Sequence, residues 1–255
     1  MFTFFRGSVG LPLVLLPWCG LAQPTAHVSA PTLLAGNIYE LTTTDGQHQP
    51  TGRVRLRTVA LRSTGGTTEA TLRQEVFDVS GQLLTTAELP ARFTSTAPAL
   101  LDVRAFVNGQ LLHALQLGGL DLAEDSLAVL PSLTEQSGQV FAPAYLTLKS
   151  LPGAAPRSVT LALLGRCLTG PTEIVRTTAG TFTCHRVTQV LEIERFDAGT
   201  QRRHTMRLVC WLAPATGVVR AETYIGTTLF DSTELTAIRP ASGGALAPTA
   251  VAVER

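Results

Sequence analysis

The sequence predicts an all-β protein: an antiparallel meander curled into an open barrel or half-barrel, or folded into two packed sheets, with little helix. Three observations carry that prediction. Between residues 36 and 239 apolar side chains recur with period two rather than 3.6. The apolar runs are short and punctuated by turn chemistry at Ser80-Gly81, Gly170-Pro171, Ala179-Gly180, Ala198-Gly199, Thr216-Gly217 and Gly226. Links this short join neighbouring antiparallel strands and are too short for parallel crossovers.

The elements follow in order. Within Arg53–Leu61, Val54, Leu56, Thr58 and Ala60 share one face while Arg53, Arg55 and Arg57 share the other, the mark of a half-buried strand. Thr67–Val79 continues in kind, and Ser80-Gly81 turns the chain into Gln82–Ala87. Val103–Val107 leads into Asn108-Gly109, a strong hairpin dipeptide, with Leu111–Leu117 as its second strand. Leu122–Leu130 reads as two helical turns stopped by Pro131, with Asp121, Glu124 and Asp125 placed to cap them. Strands are then expected at Tyr145–Lys149, Ser158–Cys167, Glu173–Thr177, Thr181–Arg195, His204–Leu212, Val218–Ile225 and Thr228–Ile238. In Thr181–Arg195 the apolar phase slips by one near His185-Arg186, which predicts a β-bulge there.

The chain divides into four stretches. Residues 1–22 have the form of a secretory signal peptide: Arg6, the apolar core Leu11-Pro-Leu-Val-Leu-Leu16, and small residues in Gly20-Leu-Ala22 ahead of a mature start near Gln23. Lipid attachment at Cys19 is the alternative, for which Trp18 is a poor preceding residue. Residues 23–35 read as a flexible tether, 36–239 as one β-rich domain, and 240–255 as a disordered tail. The expected location is therefore the periplasm or cell envelope, with no membrane span in the mature chain.

Hydrophobic residues make up 45% of the 255, enough for a sizeable core. Without Arg6 the basic and acidic residues balance at 19 each, so the body has no electrostatic footprint for nucleic acid. Cys167, Cys184 and Cys210 remain after signal removal, without metal-ligand spacing. A two-residue turn at Ala198-Gly199 sets Val187 opposite Cys210 and, with the bulge, Cys184 diagonal to Cys210. Diagonal neighbours lie about 7–8 Å apart, slightly long for an unstrained disulfide. A Cys184–Cys210 bond and three buried thiols both stay open, the thiols being preferred.

The second half contains Glu173-Ile-Val-Arg-Thr-Thr-Ala-Gly-Thr-Phe-Thr-Cys-His-Arg-Val187, then Cys210-Trp-Leu-Ala-Pro-Ala-Thr-Gly-Val-Val-Arg-Ala-Glu222, and finally Glu234-Leu-Thr-Ala-Ile238. These stretches resemble the TapB-like family of exported bacterial proteins, a domain of unknown function. Gly36–Glu40, Val107-Asn-Gly109 and Leu130-Pro-Ser-Leu133 resemble its first half more loosely. The chain departs from the family pattern in Thr178, where proline is usual, and in Leu212, where an aromatic is usual. The resemblance implies an exported β-rich body and brings no catalytic residues with it. The motif residues Ala179, Gly180, Thr181, Phe182, Cys184, Trp211 and Gly217 read as structural, with Ala179-Gly180 turning a hairpin that Phe182 anchors.

No catalytic constellation stands out. The chain lacks a G-x-S-x-G elbow, a P-loop, a dinucleotide fingerprint and any HExxH or H-x-H pattern, so no cofactor or metal is expected. His185 adjoins Cys184, but neighbours on a strand point to opposite faces. Trp211 and Tyr224 fall on the outward phase of their strands. Two functions fit this pattern: non-catalytic binding of a lipid or other apolar ligand on the concave face, or an envelope module that binds a protein or glycan through its outer face.

Overall fold

A computed structural model describes residues 36–94, 99–107, 109, 111, 113, 120–124, 127–129, 137–150, 157–197, 199–213 and 216–240. Residues 1–35, where the signal peptide and tether are expected, and residues 241–255 of the expected tail lie outside them.

Fourteen strands form one antiparallel array. They are β1 (Ile38–Asp45), β2 (Pro50–Thr64), β3 (Thr67–Asp78), β4 (Leu83–Thr94), β5 (Leu100–Asp102), β6 (Leu120–Glu124) and β7 (Leu127–Val129). The series continues with β8 (Ala144–Ser150), β9 (Arg157–Leu168), β10 (Glu173–Thr177), β11 (Gly180–Asp197), β12 (Thr200–Ala213), β13 (Gly217–Ile225) and β14 (Thr228–Arg239). The spatial order is β6-β8-β9-β11-β12-β13-β14-β1-β2-β3-β4-β5-β7, with β10 paired to β11 off this path.

Two hairpin meanders therefore meet where the first strand pairs with the last, Leu41 lying opposite Leu235. The two ends of the path, β6 and β7, are separated by only two residues of chain. That tether holds the free edges near each other and curls the sheet into a nearly closed barrel. Near-closure disposes of the long exposed edges that a flat meander of this length would present.

Period two places the core. Val159, Leu161 and Leu163 of β9, Leu191 and Ile193 of β11, Leu72 of β3 and Leu89 and Ala91 of β4 point inward and join one apolar cluster. Outward positions carry charge pairs instead. Glu40, Arg55 and Glu75 lie side by side on β1, β2 and β3, with Arg55 3.2 Å from Glu40 and 3.4 Å from Glu75. Ion pairs on that face are the signature of strands that face water rather than lipid.

Three local expectations are corrected. Val103–Phe106 is a 3-10 turn, not a strand, and Gly109, Leu111 and His113 are helical rather than extended; Asn108 and most of the second strand expected at Leu111–Leu117 lie outside the described residues. Asp102 caps the turn: its Oδ1 accepts from the Arg104 backbone N–H at 2.8 Å, and its carboxylate also holds the Arg104 guanidinium. Gly109 is required for close approach, because a Cβ there would sit 2.6 Å from Cγ2 of Val76 and 3.5 Å from Cγ2 of Val54. Gly109→Ala should therefore cost about 1–3 kcal/mol of stability by overpacking, and Val76→Ala in the same chain should recover most of it. Urea unfolding of the two single variants and the double variant checks this.

The helix expected at Leu122–Leu130 is also absent: Leu120–Glu124 and Leu127–Val129 are β6 and β7. Each is recruited by an open edge, β6 by β8 and β7 by β5, and pairing overrides local helical propensity. The bulge expected at His185-Arg186 is not there, since β11 and β12 pair without interruption from His185↔Leu212 to Asp197↔Thr200. The phase slip marks where β11 changes partners: Gly180–Cys184 pair with β10, and pairing with β12 begins at His185.

Candidate functional site

The strongest chemical feature of the barrel interior begins with a glycine. On β9 the inward residues are Val159, Leu161 and Leu163, so continued alternation would turn residue 166 outward. Leu164 pairs with Val190 and Cys167 with Thr188, which leaves Gly165 and Arg166 together facing Gln189. This is a β-bulge, and Gly165 takes the left-handed backbone (φ 55°) that such a bulge needs. Its effect is to swing Arg166 and Leu168 inward.

Arg166 is completely buried, at 0% exposure. Its Nε donates to Gln189 Oε1 at 2.9 Å and its Nη2 to the Val129 carbonyl at 2.6 Å, linking β9 to β7 where the barrel closes. The guanidinium carbon lies 5.4 Å from the Phe106 ring centroid and 5.8 Å from that of Phe141. Among the described residues Nη1 has no hydrogen-bond partner. Burial lowers the Arg166 pKa from its ordinary value; Cys210 opposes that, and no carboxylate among the described residues does. An arginine nevertheless stays protonated. Gln189 turns its amide nitrogen toward Cys210 Sγ at 3.8 Å.

Glu40 shows by contrast how this fold treats a buried charge. It is 6% exposed and flanked by Arg55 at 3.2 Å and Arg239 at 3.0 Å. Arg166 is buried more deeply, and no carboxylate among the described residues pairs with it.

Around Arg166 the interior is apolar. The 3-10 turn brings Val103, Phe106 and Val107 into the cluster of β3, β4, β8, β9, β11 and β12. Farther along, Gly109 lies against Val54 and Val76, which belong to a second cluster with Tyr39, Leu41 and Leu235. Of the residues after β5, Val103, Phe106 and Val107 thus join one interior cluster and Gly109 lies against the other. Elsewhere, a depression lined by Arg62, Thr64, Thr67, Glu69 and Arg92 is polar and lies at the far end of the β2–β3 hairpin.

The motif residues assemble as a structural corner. Thr178 and Ala179 form the turn between β10 and β11, Gly180 has φ 143°, and Thr181 pairs with Arg176. Phe182 packs beside Tyr39, Leu41 and Val54 as well as beside Cys184 and Val175. Thr178 Oγ1 donates to the Thr236 carbonyl at 3.0 Å, pinning the turn to β14. Gly217 opens β13 at φ 85°. Trp211 donates through Nε1 to Glu173 at 3.0 Å, and Arg220 stands 5.9 Å from its ring while also bonding Glu234 at 3.0 Å. Arg186, Trp211, Arg220 and Glu234 are cross-strand neighbours, so one row over four strands joins the stretches 173–187, 210–222 and 234–238. Tyr224, also outward, lies under Arg207 at 4.0 Å and donates to Glu222.

The thiols are free and separated by environment. Val187 does lie opposite Cys210. Cys184, however, packs with Val175, Ala213 and Val219, while Cys210 packs with Phe141, Leu168 and Leu212. The two belong to opposite sides of the sheet, so no Cys184–Cys210 bond forms. Burial pushes Cys184 up to about 11 and Cys210 up to about 12. At pH 8 a thiol reagent should therefore modify only the part-exposed Cys167 of the native Gln23–Arg255 protein, and all three cysteines after unfolding. Between pH 9 and about 12 the unfolded chain releases thiol protons that the folded chain keeps, so stability falls as pH rises through that window. Peptide mass mapping checks the first statement and a pH series of urea unfolding the second.

Arg166 escapes a reading based on motifs. The signal was a lone cation in Leu163-Leu-Gly-Arg-Cys-Leu168, directly after a glycine able to break the alternation.

Among the described residues no three His, Cys, Asp or Glu side chains gather as metal ligands, and no helix is long and apolar enough to cross a membrane. No curated protein matches the sequence. Solved structures share the fold. A predicted lipoprotein of Parabacteroides distasonis ATCC 8503 superposes with a TM-score of 0.67 at 17% identity, covering 82% of this chain and 97% of its own. A predicted exported protein of Bacteroides fragilis NCTC 9343, described as having a YmcC-like fold, superposes with a TM-score of 0.63 at 18% identity, covering 80% and 95%. A family model matches residues 34–235, and with that span the chain belongs to the DUF3108-like family.

Proposed function

We propose that the protein is an exported, non-catalytic binder of a lipid or other apolar molecule, which it holds inside the curved sheet. The contents of that interior carry the reading. An eight-stranded barrel is just wide enough for side chains to fill. Here a path of thirteen strands encloses more, and the surplus is taken up by the 3-10 turn and the helical residues after it. That segment belongs to no strand, so an apolar ligand can take its place without breaking the sheet. Export is supported by the signal-like residues 1–22 and by the descriptions of the two structural neighbours. The TapB-like resemblance of the second half points the same way. The non-catalytic reading is supported by the raised pKa values of Cys184 and Cys210, which keep both thiols protonated at neutral pH.

Native mass spectrometry of the Gln23–Arg255 protein, purified from the periplasm without detergent, tests the proposal. A near-stoichiometric apolar adduct that is lost on denaturation is expected. A clean apo mass across preparations overturns it.

A second reading rests on the outer row. Arg186, Trp211, Arg220 and Glu234 present a half-buried indole between charged groups, a composition suited to a protein or glycan contact. If that reading holds, Trp211→Ala abolishes capture of an envelope partner while leaving any interior adduct in place.

A further inference from the structure

We infer that the ligand is an anionic amphiphile, and that Arg166 is the residue that holds its carboxylate or phosphate. The inference rests on the apolar-ligand reading above and adds the chemistry of the head. Four observations lead to it. A bulge with a left-handed glycine turns Arg166 against the alternation of its strand, and such bulges serve to re-aim a side chain. The guanidinium is 0% exposed. Among the described residues no carboxylate pairs with it, although elsewhere the same chain surrounds a buried Glu40 with two arginines. Its third nitrogen, Nη1, is left without an acceptor.

A buried cation with an idle donor costs stability unless something neutralises it. Gln189 and the Val129 carbonyl already fix the other two nitrogens, which pre-orients the fork toward an incoming oxyanion. Among the described residues, no polar atom meets Nη1 in the remaining approach. The side chains over it are Phe106, from the 3-10 turn, and Phe141, from the link before β8. Neither ring belongs to a strand. An alkyl chain displacing the interior segment would move Phe106 and bring its head to Nη1 in the same motion.

The test compares ligands of one chain length on the Gln23–Arg255 protein by isothermal titration below the critical micelle concentration. The probes are dodecanoate, dodecyl phosphate, dodecanol and inorganic phosphate. The wild-type protein should bind the two anionic chains about ten- to a hundredfold more tightly than dodecanol, the range of one charge-assisted hydrogen bond. Arg166→Met should bind all three chains alike, and Arg166→Lys, which keeps the charge but not the fork, should fall between. The wild-type comparison stands even if neither variant folds. Equal affinity for dodecanoate and dodecanol overturns the anionic head and leaves the apolar-ligand reading standing. Binding of inorganic phosphate as tight as that of dodecyl phosphate also overturns the amphiphile, because a free anion then accounts for Arg166. Failure of every chain to bind sinks the apolar-ligand reading itself.

Discussion

Gln189→Leu should lower the free energy of unfolding by about 3 kcal/mol, and adding Arg166→Met to the same chain should recover most of that loss. Gln189 Oε1 accepts from Arg166 Nε at 2.9 Å in a fully buried setting. Its removal leaves a charged group with two idle donors where water cannot follow. Hydrogen bonds to charged groups are worth about 1.5–3 kcal/mol, and the unmet partner adds its own desolvation cost. Methionine at 166 removes the charge while keeping an unbranched side chain of related length, and replacing a buried ion by a hydrophobe is often neutral or stabilising. The Val129 carbonyl then loses its donor, so recovery is incomplete. A double-mutant cycle in urea measures the coupling. If the two losses simply add, Gln189 does not act by satisfying Arg166 and this account of the cluster is wrong.

Leu161→Ala should cost about 2–5 kcal/mol. Leu161 is fully buried at the middle of β9, in register with Leu146 on one side and Ile193 on the other, within the largest apolar cluster. Truncation removes contacts from both sheet neighbours and from the interior segment at once, and strands tied by ladder hydrogen bonds cannot collapse into the space. Leu83→Ala is the control. Leu83 opens β4 and is half exposed, so its change should stay within about 0.5 kcal/mol. Thermal and urea unfolding of both variants make the comparison, and equal losses would mean that the interior is not the packed core described.

Much of the fold was legible because strand alternation and turn residues are local signals. The strand expected at Glu173–Thr177 was found with those bounds, and the strands from Thr181 to Ile238 were displaced by two residues or fewer at most ends. Each is bounded by a glycine turn or a two-residue link, so its length depends on nothing distant. The failures share the opposite property. Val103–Val107 has the composition of a strand and Asn108-Gly109 that of a hairpin, yet the segment enters the barrel because Val54 and Val76 leave a gap that only a glycine backbone fits. Leu120–Glu124 and Leu127–Val129 became strands because two sheet edges, distant in sequence, required partners.

The candidate site divides in the same way. The sequence by itself determined an all-β antiparallel body, most of its hairpins including the turn at Ala179-Gly180, and the outward phase of Trp211 and Tyr224. Alternation and turn chemistry are properties of adjacent residues, and a reader of the chain has them in hand. Only the tertiary structure decided that β1 meets β14, that the edges β6 and β7 come together, and that Arg166 is buried with no carboxylate beside it among the described residues. The last of these depends on one bulge and on which residues from β7, β11, the 3-10 turn and the link before β8 surround it. Whether a charge is neutralised is a property of its neighbours in space, and those neighbours are chosen by closure of the whole sheet.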